Sequence, residues 1–295
     1  MPKFEEIQQG IHLLKVPFSG LWTGVVLVTG EENCLIDSGA TEKDVDAYIL
    51  PALAELGMTL NDIHWLLNTH SHGDHIGGHA RVRTLANLKV AAHSSSAPKV
   101  ADPVPYAIQT RTKFPQHSPA PQCYLQGVAV DRVMEDGQII AGRLQLIHTP
   151  GHDDDCVCWY DLQTKTLITG DSLQANGTPA QGVGFYKDLD AYLASVSRLQ
   201  QLGAKNILCG HEYDKIGWNI CGAEAVAQAL QACADYPRLY QQFIRQQYGK
   251  GITDPVQIAT DLIQQQGCGM PDKLFLALYT VTQHLEKLKL NDIQQ

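Results

Sequence analysis

Between Asn68 and His79 the chain reads NTHSHGDHIGGH, four histidines and an aspartate within twelve residues, with three glycines among them. Two readings compete: a polar surface loop rich in histidine, or a ligand set for metal. His70 and His72 stand at i and i+2 where an apolar run ends. Alternate side chains of extended backbone share a face, so two imidazoles can reach one ion. Gly73 permits the sharp turn that brings Asp74 and His75 round toward a second ion. Imidazole nitrogen with carboxylate oxygen suits zinc, and also iron or manganese.

A short cluster cannot fill two sites alone. Three further stretches place a His or Asp beside a glycine directly after an apolar run: HTPGH (148–152), TGDSL (169–173) and CGHEY (209–213). They offer His152, Asp171 and His211. His148, four residues before His152, reads as structural. His64, His79, His93 and His117 read as solvent-facing or core-edge histidines.

The elements that hold these loops alternate between strand and helix. IHLLKV (11–16), GVVLVT (24–29) and NCLID (33–37) predict strands bounded by glycine or acidic turns. TEKDVDAYILPALAELG (41–57) has helical spacing and opens on Thr41 as N-cap. HWLLNT (64–69) predicts a short buried strand, GGHARVRTLAN a helix and LKVAAH (88–93) the next strand. Six of the fourteen prolines fall between Pro98 and Pro121. That density predicts a proline-rich loop insertion over 94–126. It carries Tyr106, Arg111, Lys113, Phe114 and His117, and it faces substrate, faces a dimer partner or is a plain solvated connection. Strand signals return with VAVDRV, QIIAG, RLQLIHT, CVCWY and TLITG. A helix at 188–203 and strand NILC (206–209) follow, and from about Gly222 the chain reads as helices only. The order predicts two sheets sandwiched between helices over 1–220, with a helical extension over 221–295 packed on them.

Composition narrows the function classes. The 295 residues are 44% hydrophobic, as in an ordinary globular protein. The net charge of -9 argues against a broad nucleic-acid surface, which relies on basic patches. No apolar run nears the roughly 20 residues that span a bilayer. MPKFEEIQQGIHLLKV has no basic segment followed by an apolar run, so a cytoplasmic protein is expected. In that setting the eight cysteines are expected as free thiols, Cys156 and Cys158 included.

HSHGDH, TPGH, TGDS and CGHE, in that order, resemble the metallo-β-lactamase-fold hydrolases. HSHGDH matches that family's His-x-His-x-Asp-His in full, and the resemblance covers roughly residues 10–215. It implies an α/β fold, an αββα sandwich with metals at one edge between the sheets, here with the C-terminal helical extension added. By position it implies His70, His72 and His152 on a first metal, Asp74, His75 and His211 on a second, and Asp171 between them. Zinc is the family's usual metal; iron or manganese also serve. Asp37, ending NCLID, is similar to a buried acid that many relatives place under the metal loop. His72 stands where oxygen-reducing di-iron relatives usually carry Glu. Asp171 stands where antibiotic-cleaving lactamases generally lack an aspartate. The pair is similar to the branch that includes glyoxalase II, acyl-homoserine lactonases and ribonuclease Z. After TPGH the family often has Thr-x-Gly; this chain has Asp153-Asp154-Asp155-Cys156.

The reaction so implied is attack on a carbonyl or phosphorus centre by hydroxide shared between two ions about 3.5–4 Å apart. The second ion holds the developing charge. Asp74 binds metal and orients the hydroxide. Tyr186 and Tyr213, beside ligand loops, are candidates for a further contact to that charge; core tyrosine is the plainer reading of both. A small acyl substrate (thioester, lactone or ester) is expected. A phosphodiester or RNA is the alternative, resting on Arg81, Arg83, Arg111 and Lys113. A β-lactam comes third and a non-catalytic metal-binding protein last. In glyoxalase II a helical C-terminal region helps hold glutathione. Here Tyr236, Tyr240, Phe243, Arg245 and Tyr248 share helical spacing, which suits core packing or a homodimer contact better.

Overall fold

The computed structural model describes residues 2–293. The first sheet holds β1 (Glu5–Gln8), β2 (Ile11–Phe18), β3 (Leu21–Val28), β4 (Cys34–Ile36), β5 (Trp65–Leu67), β6 (Lys89–His93) and β7 (Arg132–Met134), neighbours in that order. The second holds β8 (Ile139–Ile140), β9 (Leu144–His148), β10 (Val157–Asp161), β11 (Thr166–Gly170), β12 (Asn206–Tyr213) and β13 (Gly217–Cys221). Strands β4 to β7 run parallel, as do β11 and β12; the other pairs are antiparallel.

The helices are α1 (Glu42–Asp44), α2 (Leu50–Glu55), α3 (Gly73–Ile76), α4 (His79–Leu85), α5 (Ala97–Ala101), α6 (Pro103–Thr112), α7 (Leu189–Gln200), α8 (Ala223–Gly249), α9 (Pro255–Gln266) and α10 (Phe275–Ile293). A π turn, Val45–Ile49, joins α1 to α2, so the expected single helix is interrupted. Thr41 caps it in a reciprocal capping box with Asp44.

Side-chain alternation builds three apolar layers. Val26, Ile36, Leu67, Leu146, Trp159 and Ile168 fill the space between the sheets. The opposite face of the first sheet packs Val25, Leu35, Leu66 and Val90 against Val45, Ile49, Leu53 and Val82. The outer face of the second packs Cys158, Tyr160 and Leu167 against α7, α8, α9 and α10. The result is the expected αββα sandwich, and the tail shares a core with it. All eight cysteines are unpaired.

One further expectation needs correction, and the core-packing reading of the aromatic stripe holds. The proline-rich stretch is not a loop: α5 and α6 occupy much of it. Pro98 and Pro103 stand in first helical turns, where the missing N–H has no intrahelical partner to lose and the fixed φ suits a helix. Tyr240 and Phe243 are buried in the core under α8, so the aromatic stripe packs inward. Among the described residues no helix is long and apolar enough to cross a membrane.

Candidate metal centre

Strand ends, with the short helix α3 that carries Asp74 and His75 after β5, deliver the predicted set. His70 lies three residues beyond β5, His152 four beyond β9, Asp171 directly after β11, and His211 within β12. The sheets are tied at this edge: Val157 N donates to Thr69 O at 2.8 Å and Trp159 Nε1 to Asn68 O at 3.0 Å. Gly210 allows the closest approach. A Cβ there would lie 2.8 Å from Asp171 Oδ1 and 3.0 Å from His75 Cε1, so a larger residue forces the cluster apart.

Each of the five imidazoles has one nitrogen tied to protein. His70 Nδ1 lies 3.1 Å from Thr69 Oγ1, and His72 Nε2 lies 2.9 Å from Asp153 Oδ2. His75 Nδ1 lies 2.8 Å from Asp37 Oδ2. His152 Nδ1 donates to Phe185 O at 3.1 Å and His211 Nδ1 to Trp22 O at 2.7 Å. These contacts fix ring orientation and leave the other nitrogen to a shared centre. There His152 Nε2 and His72 Nδ1 are 3.1 Å apart. Asp171 Oδ2 lies 3.6 Å from His152 Nε2 and 3.4 Å from His211 Nε2, between the two halves of the set. Asp74 Oδ2 lies 3.2 Å from His211 Nε2 and 3.5 Å from His75 Nε2.

Three groups have ligand atoms mutually within 4.8 Å: His70 with His72 and His152; His70 with His75 and Asp171; Asp74 with His75 and His211. His70 Nε2, His75 Nε2 and Asp171 Oδ1 are buried, and among the described residues no hydrogen-bond partner reaches them. Native proteins pair such atoms. Three orphans converging on one point fit divalent metal. A second acidic cluster, Asp153–Asp155, does not: Lys99 Nζ sits 3.4 Å from both Asp153 and Asp155 and also pairs with Asp154.

The electrostatics divide the set. Burial, with neighbouring imidazoles adding, holds His70 well below its ordinary value and His152 down to about 3. Burial also acts to lower His75, but the carboxylates of Asp74, Asp37 and Asp171 outweigh it and raise the ring to about 9. His211 is likewise raised, against burial, by Asp171 and Asp74. Burial opposes ionisation of Asp74 and Asp171, yet His75 and His211 hold both carboxylates below their ordinary range.

Neither Tyr186 nor Tyr213 lines the cavity, although the Tyr213 ring lies 6.1 Å from that of His211. Both are core side chains: the Tyr186 hydroxyl meets His284 Nε2 at 2.6 Å, and Gln174 Nε2 donates to the Tyr213 hydroxyl at 3.3 Å. The second sheet's outer layer absorbs them. His79 is buried against Ser38 Oγ at 2.7 Å, and His93 is buried and stacked on His148, so neither faces solvent. His148 is structural, meeting Asp154 O at 2.9 Å. Arg81 and Arg83 pair with Asp46 and Asp131 away from the site.

A cavity of about 150 Å³ opens over His72, Asp74, His152, Asp171 and His211. Its walls come from α6 (Tyr106, Thr110, Arg111), from α10 (Phe275, Tyr279) and from Phe185 and Lys187. Phe185, Lys187, Phe275 and Tyr279 had no readable signal, since none lies in a metal motif and helix packing brings them in. Lys187 Nζ donates to the Tyr106 hydroxyl at 2.6 Å, and the Tyr106 and His72 rings stack at 6.3 Å.

Comparison with known proteins points the same way. A Caenorhabditis elegans "Beta-lactamase-like protein 2 homolog" is 28% identical over 199 residues, 66% of this chain and 57% of that protein. This chain thus matches little more than half of that relative's length. A Rhodopseudomonas palustris "Hydroxyacylglutathione hydrolase" is 33% identical over 181 residues, 60% of this chain and 59% of its own. The crystal structure of a metallo-beta-lactamase family protein from Thermus thermophilus superposes with TM-score 0.75 at 22% identity, covering 97% of this chain and 95% of that one. Residues 23–211, which run from β3 to the last histidine of the cluster, match the Metallo-beta-lactamase superfamily, and the chain belongs to it.

Proposed function

We propose that this chain hydrolyses a small acyl substrate, a thioester, lactone or ester, with two divalent ions. His70, His72 and His152 would hold the first, Asp74, His75 and His211 the second, with Asp171 shared. Zinc suits this nitrogen-rich set best. The observation that carries the reading is the convergence of five imidazoles, each with its second nitrogen tied back, beneath a partly apolar cavity. The resemblance to the hydroxyacylglutathione hydrolase supports the acyl class.

When bound, paired divalent ions acidify a water and polarise a carbonyl. The chain's own groups do the rest. The Asp74 side chain is 14% exposed against 5% for Asp171, which supports Asp74 as the carboxylate that would orient an attacking water. Phe185 and Phe275 limit bulk water around the reacting atoms. The Tyr106 hydroxyl, which lines the cavity and is polarised by Lys187, suits a donor toward charge developing on the carbonyl oxygen better than the core tyrosines Tyr186 and Tyr213. Tyr106→Phe should lower kcat by about 10²-fold with metal content unchanged.

The test is a hydrolysis panel on metal-analysed protein with a chelator control. It includes a glutathione thioester, a homoserine lactone, a cephalosporin and a bis-aryl phosphodiester. Chelator-sensitive cleavage of thioester or lactone is expected. Selective cleavage of the phosphodiester overturns the acyl class, and metal-free protein that still turns over overturns the metal assignment.

A further inference from the structure

The cavity wall carries two cations, and they differ in one respect. Lys187 is satisfied by Asp153, 2.5 Å from its Nζ, and by the Tyr106 hydroxyl. Arg111, at the end of α6, has no carboxylate within 4.0 Å among the described residues. Its Nη1 donates to Thr110 Oγ1 at 3.2 Å, while its Nε is buried without a partner. The guanidinium lies 4.4 Å over the Phe275 ring on α10. That contact steadies a cation without neutralising it. Most other arginines of the chain answer an acid: Arg81, Arg83, Arg143, Arg198 and Arg238 each pair with an aspartate.

A partly buried guanidinium with unmet donors costs stability unless something meets them. In a chain of net charge -9, acidic partners are plentiful, yet among the described residues the acids of this cavity, Asp74 and Asp171, stay beyond ion-pair distance of Arg111. The fork geometry of arginine matches a planar carboxylate. The walls around it, Phe275, Leu276 and Tyr279, suit an apolar body.

We propose that Arg111 is the specificity-determining residue of this cavity, binding a carboxylate carried by the substrate on an apolar body while the scissile group lies over the histidine cluster. This rests on the acyl-hydrolase reading for its substrate class, but the anion site has its own test.

The test is equilibrium binding to metal-loaded protein of two uncleavable thioethers of equal length, one ending in a carboxylate and one in a primary amide. The wild type should bind the carboxylate about tenfold or more tighter. Arg111→Met should lose that preference while keeping its affinity for the amide. Arg111→Lys, which keeps the charge but not the fork, should retain part of it and serves if the methionine variant does not fold. Equal binding of both compounds by the wild type overturns the proposal. So does a preference that Arg111→Met retains, since the carboxylate then sits on the metals. Turnover of the matching thioesters is read separately: its absence sinks acyl hydrolysis and leaves the binding result standing.

Discussion

Asp37 Oδ2 lies 2.8 Å from His75 Nδ1, and the same carboxylate accepts from Thr69 N and Thr69 Oγ1, each at 2.8 Å. One acid therefore holds a ring of the second half of the cluster and the backbone that leads into the first. It does so from a left-handed conformation, φ +63°, which costs a non-glycine residue strain held in place by these bonds. Asp37→Asn suits that conformation at least as well but removes the charge facing His75. Metal affinity should fall about 10–100-fold with the fold retained. Titration against a competing chelator measures it; an unchanged affinity would show that Asp37 only closes a turn.

Asp153 does the same for the first half. Its Oδ2 takes His72 Nε2 at 2.9 Å, which turns His72 Nδ1 toward His152. Asp153→Ala should release His72 and lower metal stoichiometry from two toward one at limiting metal. Elemental analysis after dialysis reads this directly. Two ions retained at wild-type affinity would mean that Lys99 and Lys187, not His72, are what Asp153 serves.

How much of this was legible follows from which interactions are local. The cluster could be read because strand ends fix where the next few side chains go, so HSHGDH, HTPGH, TGDSL and CGHEY carry their geometry in their spacing. Asp37 was partly readable, as an acid closing a strand. The cavity walls were not. Tyr106 and Arg111 lay in a stretch whose prolines read as loop, although prolines in the first turns of α5 and α6 are compatible with helix. Phe275 and Tyr279 reach the cavity only because α8 and α9 set the position of α10, a long-range packing outcome. Strand β13, five residues with a half-exposed pattern, gave too short a period to notice.

Arg143 joins the two sheets at the end away from the cluster. Its Nε and Nη2 meet Asp161, Nη1 donates to Thr29 O at 2.7 Å and Nη2 to Gln9 O at 2.9 Å. The two side chains are 8% and 0% exposed. Arg143→Met leaves a buried carboxylate and two carbonyls without their donor, and should cost about 3–5 kcal/mol. Adding Asp161→Asn removes the stranded charge and should recover part of that loss, although Thr164 still relies on the side chain at 2.8 Å. Denaturant unfolding of the single and double variants tests the coupling; additive losses would show that the pair acts as two independent groups.

His284 gives the extension an acid sensitivity of its own. It is fully buried on α10, with Nε2 2.6 Å from the Tyr186 hydroxyl and Nδ1 2.9 Å from Gln241 Oε1. Both contacts suit a neutral ring: Gln241 accepts from Nδ1 and Nε2 accepts from Tyr186. Burial, with Lys287 adding, pushes the imidazole down to about 3. In the unfolded chain its pKa is about 6.5. Between those values the unfolded state binds one more proton than the folded state. Stability therefore falls as pH drops from about 6.5 toward 3, by up to about 1.4 kcal/mol per pH unit from this group. Above 6.5 the group adds no slope. His79, also held down to about 3 by burial, contributes a second such proton, so removing His284 should flatten the acid limb rather than abolish it. His284→Gln is expected to lower stability near neutrality, because the contact to Tyr186 is rebuilt imperfectly, and to narrow its deficit as the pH approaches 4. Urea unfolding of both proteins between pH 7 and 4 decides it: curves that stay parallel across that range would mean that His284 titrates alike in the folded and unfolded chains.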